Sequence, residues 1–270
     1  MSPPPILALI LVLLNVLNQM VVGGVATLGL VPAAVSGTFF KTSAGIYLGL
    51  SALVLWAWWA SGGHDRAVAQ HQAELLALVA FTLALGLYTA SLWSRGRRLQ
   101  ARLHRLCSAV GAGALIVTSQ RYAGPSLLTS SLFLPAVFLS SALFLGMALT
   151  SMLLGHWYLV GKLDEAYIRR LADLFIGATA LQGLLPLVHL AVSGAAGGHP
   201  LASLAPYLTL VAVRWGVGIL GVFVLAVMIR QTLKIPHVQA ATGLFYVAIV
   251  VAFVGELLGR VILFYSAVPF

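Results

Sequence analysis

The sequence predicts an all-α fold, a polytopic membrane bundle of eight transmembrane helices. Of the 270 residues, 61% are hydrophobic and only 8% are charged, whereas about a quarter of the residues in a soluble domain are charged. The mean hydropathy is +1.03, and apolar runs of about 20 residues, the length that spans a bilayer, recur along the whole chain. We therefore expect residues 1–270 to form a single integral membrane domain in a lipid bilayer.

Each apolar run predicts one helix. In chain order the predicted spans are about 6–31, 44–61, 72–94, 104–120, 126–155, 167–193, 203–230 and 237–265. The fourth is short, and it begins with His104 and Arg105. The connections are also short, so consecutive helices should be antiparallel neighbours. Pro135 and Pro186 fall inside predicted helices, where we expect them to cause kinks.

The orientation follows from the distribution of Lys and Arg. The loops 32–43, 95–103, 156–166 and 231–236 share one side of the membrane in this scheme. Together with the adjoining helix ends they carry eleven basic residues: Lys41, Arg95, Arg97, Arg98, Arg102, Arg105, Lys162, Arg169, Arg170, Arg230 and Lys234. The other side has only Arg66 and Arg121. Basic loops remain cytoplasmic, so both termini should lie outside. Most of the basic residues lie in short loops between apolar runs, which argues against a nucleic-acid partner.

An acid and a base lie deep in the last predicted helix, in the segment V-G-E-L-L-G-R-V-I-L-F-Y at 254–265. Glu256 and Arg260 are one helical turn apart, and Gly255 and Gly259 beside them form a G-x-x-x-G pattern. Charged groups inside a bilayer are costly and usually face the protein interior or a polar cavity. The glycines should let a neighbouring helix approach that face closely.

Other polar residues come out at a similar depth. A rise of ~1.5 Å per residue puts Glu256 ~14 Å and Arg214 ~16 Å inside the outer ends of their helices. Asn15, Asn18, Gln19 and Gln182 fall near the same level. A band of this kind favours one shared site. It is either an ion pair of Glu256 with Arg214 or Arg260 that locks helices together, or a pocket for a quinone. The oxygens of a quinone need donors and its chemistry needs a proton acceptor.

Histidines raise two further possibilities. The outer segment 61–73 contains His64, and Glu74 lies just beyond this segment. We interpret the segment as a solvated loop. The alternative is a proton exit path or a docking surface beside a pocket. His104, His156 and His237 would be the ligands of a b-type haem, but all three lie at helix edges, where histidine often anchors at the interface. We expect no haem and no metal site. One cysteine, Cys107, excludes a self-contained Cys-ligated iron–sulfur cluster, and no motif indicates catalysis by this chain alone.

The last helix resembles that of the membrane-anchor subunits of the dimethyl sulfoxide reductase family, which are related to polysulfide-reductase-type anchors. The residues that match its G-E-L-x-G-R…F-Y pattern are Gly255, Glu256, Leu257, Gly259, Arg260, Phe264 and Tyr265. Further similarities are Q-x-x-x-G-G at Gln19, Gly23 and Gly24, and Arg214 beside Trp215. His64, close to Arg66-Ala67, lies near the position of a family histidine.

The resemblance implies a multi-pass subunit of the inner (cytoplasmic) membrane that acts in anaerobic respiration. Such a subunit anchors an iron–sulfur electron-transfer protein and a molybdenum catalytic subunit on the outer face, and it exchanges electrons with quinone or menaquinone. The residues that we expect to contact the quinone are Glu256, Arg260, Arg214, Gln19, His64 and Glu74. Two alternatives remain: a b-type cytochrome subunit, and a small-molecule or ion transporter that uses Glu256 as its coupling carboxylate.

Overall fold

The structure, a computed structural model, describes residues 5–61, 69–124, 126–159, 161, 163–235 and 237–269, with the backbone alone at 5–8 and 69–71. It is 87% helical, and no strand occurs in the part of the chain that it describes. The predicted all-helical class is therefore confirmed.

Long helices make up nearly all of the described chain. Their bounds are α1 Pro5–Leu28, α2 Gly37–Ala60, α3 Ala69–Ser91, α4 Arg97–Ser119, α5 Thr129–Tyr158, α6 Glu165–Ala195, α7 Pro200–Thr232 and α8 Val238–Ser266. Seven of these described helices are long and apolar enough to cross a membrane. The exception is α4, which has four arginines within its first nine residues. A lipid bilayer is the environment that such a bundle requires.

Two helices begin seven residues earlier than the hydropathy predicted, whereas the other helix starts differ by three residues or fewer. The first, α2, starts at Gly37 instead of residue 44, where the Ser36 hydroxyl caps the helix by accepting from the Thr38 amide at 3.3 Å. The second, α4, starts at Arg97 instead of residue 104. Hydropathy detects only the apolar part of a helix, whereas the backbone is also helical in one or two polar turns that precede this part. Lys41, Arg97, Arg98 and Arg102 therefore lie on helices, not in the loops where the sequence placed them.

The centre of the bundle is α5, which contacts α1, α4, α6 and α8. Its closest neighbour is α1. A Cβ on Gly23 of α1 would overlap the Ala142 carbonyl, and a Cβ on Gly146 would overlap the Gly23 backbone. Hydroxyl groups join the helices beside this contact: Thr27 Oγ1 lies 2.6 Å from Thr150 Oγ1. Small residues thus let two backbones meet at the centre of the bundle.

Two helices contain π-helical turns. One opens α5 at Thr129–Phe133, so that Pro135 lies directly after it near the start of the α-helical part. The other spans Arg214–Gly221 in the middle of α7. Pro186 lies inside α6, as the sequence predicted. A π turn holds an extra residue and often marks a functional site, and Arg214 stands at the start of the second one.

Candidate functional site

Glu256 lies at the centre of a buried polar cluster. Its side chain is 1% exposed, and those of Arg214 and Arg260 are 0% exposed. Arg214 Nη2 donates to Glu256 Oε1 at 2.6 Å, whereas Arg260 Nη2 lies 3.6 Å from Glu256 Oε2. The expectation that Glu256 faces the interior within reach of a cation is confirmed. The shorter contact comes from α7 and the longer one from the next turn of α8.

Gln182 of α6 connects this pair to α5. Its Nε2 donates to Glu256 Oε1 at 3.0 Å and to Ser141 Oγ at 2.9 Å. Its Oε1 accepts from Ser140 Oγ at 2.5 Å. Ser141 Oγ also accepts from Arg260 Nη2 at 2.6 Å. Four helices, α5 to α8, are therefore tied together by one hydrogen-bonded network. Of the predicted band of polar groups, Glu256, Arg214 and Gln182 are in direct contact.

The cluster formed by Glu256, Arg214, Arg260 and Gln182 contains two guanidinium groups and one carboxylate. Its formal charge is therefore +1. The second cation is stabilised by neutral groups: Arg260 lies 4.2 Å over the ring of Phe138, and the Gln19 amide oxygen accepts from its Nε. The Gln19 amide oxygen lies 3.4 Å from Arg260 Nε, or 3.1 Å when the amide oxygen and nitrogen exchange places.

Glycines set the distance between α7 and α8 at this level. A Cβ on Gly255 would lie 2.6 Å from the Gly218 Cα and 3.2 Å from Arg214 Nη1. Any larger residue would therefore push α7 away and pull the Arg214 guanidinium off Glu256. The predicted role of Gly255 in close helix approach is confirmed, and its partner is a glycine of the π-helical segment.

A line of polar side chains runs from Arg260 along α1. The Gln19 and Asn15 amides lie 3.4 Å apart, and Asn15 Nδ2 donates to the Tyr122 hydroxyl at 3.3 Å. Tyr122 belongs to the short 3₁₀ segment Gln120–Tyr122 that follows α4. Because Tyr122 accepts in this bond, its own O–H can donate elsewhere.

Tyr122 and Asn15 also line a cavity of about 30 Å³ between α1, α2, α3 and the end of α4. Asn18 lines the same cavity and is 2% exposed, and neither polar atom of its amide has a hydrogen-bond partner among the described residues. Apolar side chains, including those of Trp58 and Leu78, form the rest of the lining together with Glu74, Thr118 and Arg121. The cavity thus combines unpartnered polar atoms with a hydrophobic face.

Glu74 lines this cavity too, and it is 2% exposed. It follows the segment 61–73, which we interpret from the sequence as a solvated loop and of which residues 62–68 lie outside the described part of the chain. Arg121 donates from Nε to Glu74 Oε1 at 3.0 Å, and its Nη2 pairs with the other carboxylate oxygen. One of the two basic residues assigned to the outer side therefore neutralises a buried acid. Glu74 and Glu256 occupy separate sites joined by the Tyr122–Asn15–Gln19 line.

The histidines are dispersed. His64 lies outside the described residues. His104 bonds through Nε2 to the Val25 carbonyl at 2.8 Å, in the last turn of α1. His156 is exposed at the end of α5, with Nδ1 3.4 Å from the Tyr246 hydroxyl. His237 is exposed and precedes α8.

Sequence reasoning missed some members of both sites. Ser140, Ser141 and Tyr122 belong to no motif, and Arg121 was counted only as a loop charge. Adjacent serines in an otherwise apolar span were the available signal for the first two. Nothing local distinguishes Tyr122 from an ordinary interfacial tyrosine.

Comparison of the chain with protein-family models, with curated proteins and with solved structures found no match in any of the three. The function proposed below therefore rests on the residues and on the geometry of these two sites.

Proposed function

We propose that the protein is the quinone-binding membrane-anchor subunit of a respiratory molybdopterin oxidoreductase-type complex in the inner membrane. It binds quinone or quinol and exchanges electrons with an outward-facing iron–sulfur subunit, which serves a molybdenum catalytic subunit. The observation that carries the proposal is the cavity at Asn18, Tyr122 and Glu74, where unpartnered polar atoms meet an apolar wall inside a membrane bundle.

The donors and acceptors of this cavity suit a quinone headgroup. The Tyr122 O–H and the Asn18 amide can each donate to a ring oxygen, and Trp58 and Leu78 offer apolar surface to the ring. Oxidation of a quinol to a quinone releases two electrons and two protons. The Glu74 carboxylate, held by Arg121, can accept these two protons one at a time, releasing the first to water on the outer side before it takes up the second. The electrons pass to the iron–sulfur partner.

A space of about 30 Å³ holds water-sized molecules and not a ring. Ligand entry therefore requires the apolar side chains of the wall to move, while the polar side stays in place. The Glu256 cluster supports that polar side, because Arg260 holds Gln19 and Gln19 adjoins Asn15. In this proposal the Glu256 cluster has two roles: it holds α1 in position, and it contributes a net positive charge. The contacts from Gln19 through Asn15 to Tyr122 then fix the polar side chains that line the cavity.

The proposal includes α4 as an eighth span and places both termini outside. Its arginines occupy the end that the charge distribution assigns to the cytoplasm, and its buried residues from Cys107 to Ser119 pack against the bundle. Single cysteines at position 98 in α4 and at position 196 after α6 test this orientation in intact cells. A membrane-impermeant maleimide should label position 196 and spare position 98. Labelling of position 98 but not of position 196 would show the opposite orientation.

The complex purified from its own membranes tests the function. We expect iron–sulfur and molybdenum subunits to co-purify, and added quinol to reduce the iron–sulfur centres. Asn18→Leu keeps the approximate volume and removes both polar atoms, so it should slow quinol-dependent reduction at least about tenfold, the value of one well-placed hydrogen bond of about 1.4 kcal/mol. Subunit yield should not change, because the Asn18 amide has no partner among the described residues.

Gln231→Leu is the matched control, since it removes an exposed amide at the far end of α7. It should reduce the centres at the parental rate. Purification without any iron–sulfur subunit would refute the anchor role, and a stoichiometric haem b spectrum would favour the cytochrome alternative. Parental electron transfer in Asn18→Leu would move the quinone site away from this cavity.

A further inference from the structure

A second, larger cleft lies at the end of the bundle where α1 and α3 end and α2 and α4 begin. Its volume is about 450 Å³, within the range of about 300–1,000 Å³ typical of small-molecule sites. It takes no part in the function proposed above, and it lies at the opposite end of α4 from Tyr122. It is the larger of the two cavities described here.

The chemistry of the cleft is divided into two parts. One face of α4 supplies polar groups at helical spacing, namely Arg97, Gln100, His104 and Arg105. The end of α1, the connection from α1 to α2, the start of α2 and the residue after α3 supply an apolar wall that includes Leu28, Val31, Val35, Phe40 and Leu92. A ligand that fills the cleft therefore needs an anionic or strongly accepting head and an apolar body.

The positive charge of the cleft is not neutralised by the protein. Arg97 and Arg105 are exposed, and neither forms an ion pair with any residue in the described ranges. No Asp or Glu occurs among the residues that line the cleft, all of which the structure describes. A head that carries an ammonium group as well as a phosphate would find no carboxylate for its cation.

The level of the cleft matches the boundary of the bilayer. Trp93, at the end of α3, is 64% exposed, and Lys41 of α2 lies 5.2 Å over its ring. Exposed tryptophan beside a basic residue is typical of the membrane–water interface. Leu92 and Phe40, the sequence neighbours of these two residues, line the cleft, so the cleft lies near the level of lipid headgroups.

His104 gives the cleft a rigid edge. It bonds to the Val25 carbonyl at 2.8 Å and packs edge-on against Tyr88, with the ring centroids 5.3 Å apart. Gly29 makes room for it, because a Cβ there would lie 2.6 Å from His104 Cε1. The side chain between the two arginines is therefore fixed before any ligand binds.

We propose that this cleft binds an anionic phospholipid, with its phosphate between Arg97 and Arg105 and the start of an acyl chain on the wall formed by α1, α2 and α3. Guanidinium groups bind phosphate through charge-assisted hydrogen bonds, and basic pockets between membrane helices recognise anionic headgroups.

Native mass spectrometry of the purified protein with added phosphatidylglycerol tests the proposal. We expect the double variant Arg97→Gln/Arg105→Gln to bind this lipid at least about tenfold more weakly, since it loses two charge-assisted contacts. The matched control is Arg98→Gln/Arg102→Gln, which removes the same charge from exposed positions of the same helix that do not line the cleft. It should bind the lipid as the parent does, because neither side chain lines the cleft and exposed charges interact only weakly through water.

Two further probes distinguish the ligand. Phosphatidylcholine should bind to the parent more weakly than phosphatidylglycerol, and millimolar inorganic phosphate should not displace the bound lipid. If both double variants lost affinity for the lipid equally, the effect would depend only on net charge, and the proposal would be wrong. Equal binding of the two lipids would also overturn the proposal. Displacement by inorganic phosphate would identify a site for a soluble anion in place of a lipid.

Discussion

Replacing Arg214 with alanine is expected to destabilise the folded protein by about 3–5 kcal/mol, because it leaves the buried carboxylate of Glu256 without its principal partner. The remaining cation, Arg260, lies 3.6 Å from that carboxylate and already contacts Ser141 and Gln19. Unfolding of the purified protein in mixed micelles by increasing sodium dodecyl sulfate measures the loss. The accompanying effect is a lower yield of protein in membranes.

Arg230→Ala provides the control on the same helix. Arg230 also pairs with an acid, Asp173, but the two side chains are 34% and 52% exposed. Exposed pairs contribute at most about 1 kcal/mol, so this variant should unfold close to the parent. If Arg214→Ala unfolded at the same detergent fraction as Arg230→Ala, the Glu256 cluster would not anchor α7 to α8.

Gly146→Ala is the second large effect that we expect. A single methyl group at this position would overlap the Gly23 backbone, and neither backbone can move without separating α1 from α5. Overpacking of this kind costs about 1–3 kcal/mol and sometimes more. The separation would also break the bond from Thr27 Oγ1 to the Gly146 carbonyl, 3.2 Å long, and weaken the contact of Tyr47 with Thr150. The same unfolding assay applies.

The matched control for this variant is Gly86→Ala. Gly86 also lies inside a helix, α3, but a Cβ there would meet nothing within 4 Å. The exchange should therefore be neutral or stabilise the helix by up to about 1 kcal/mol, the usual gain from replacing a helical glycine. Equal behaviour of the two variants would show that the α1–α5 interface adapts to a methyl group.

Parts of the Glu256 site could be predicted because they are local. The spacing of Glu256 and Arg260 puts both on one face of α8, and the glycine at 255 indicates that a neighbour comes close on that side. The depth estimate correctly grouped Arg214 and Gln182 with them. Depth is a coordinate along the helix axis, so it can be counted in residues.

The partner choice of Glu256 could not be predicted in this way. The sequence left Arg214 and Arg260 as equal candidates, and the structure puts the former at 2.6 Å and the latter at 3.6 Å. The difference depends on the contact of Gly255 with Gly218 and on the π-helical turn that begins at Arg214. The cavity at Glu74 was hidden for the same reason, because its walls come from residues more than a hundred positions apart.

By itself the sequence determined the helical membrane class, the approximate spans and the depth of the polar groups. These properties depend on hydropathy, charge and rise per residue, all of which are read along one dimension. Only the tertiary structure decided that Arg121 neutralises Glu74, that Asn15 meets Tyr122, and that α1 to α4 enclose a basic cleft. The physical reason is that neighbouring helices are selected by packing summed over whole interfaces, where a bare glycine backbone such as that at Gly23 and Gly146 matters as much as any charge.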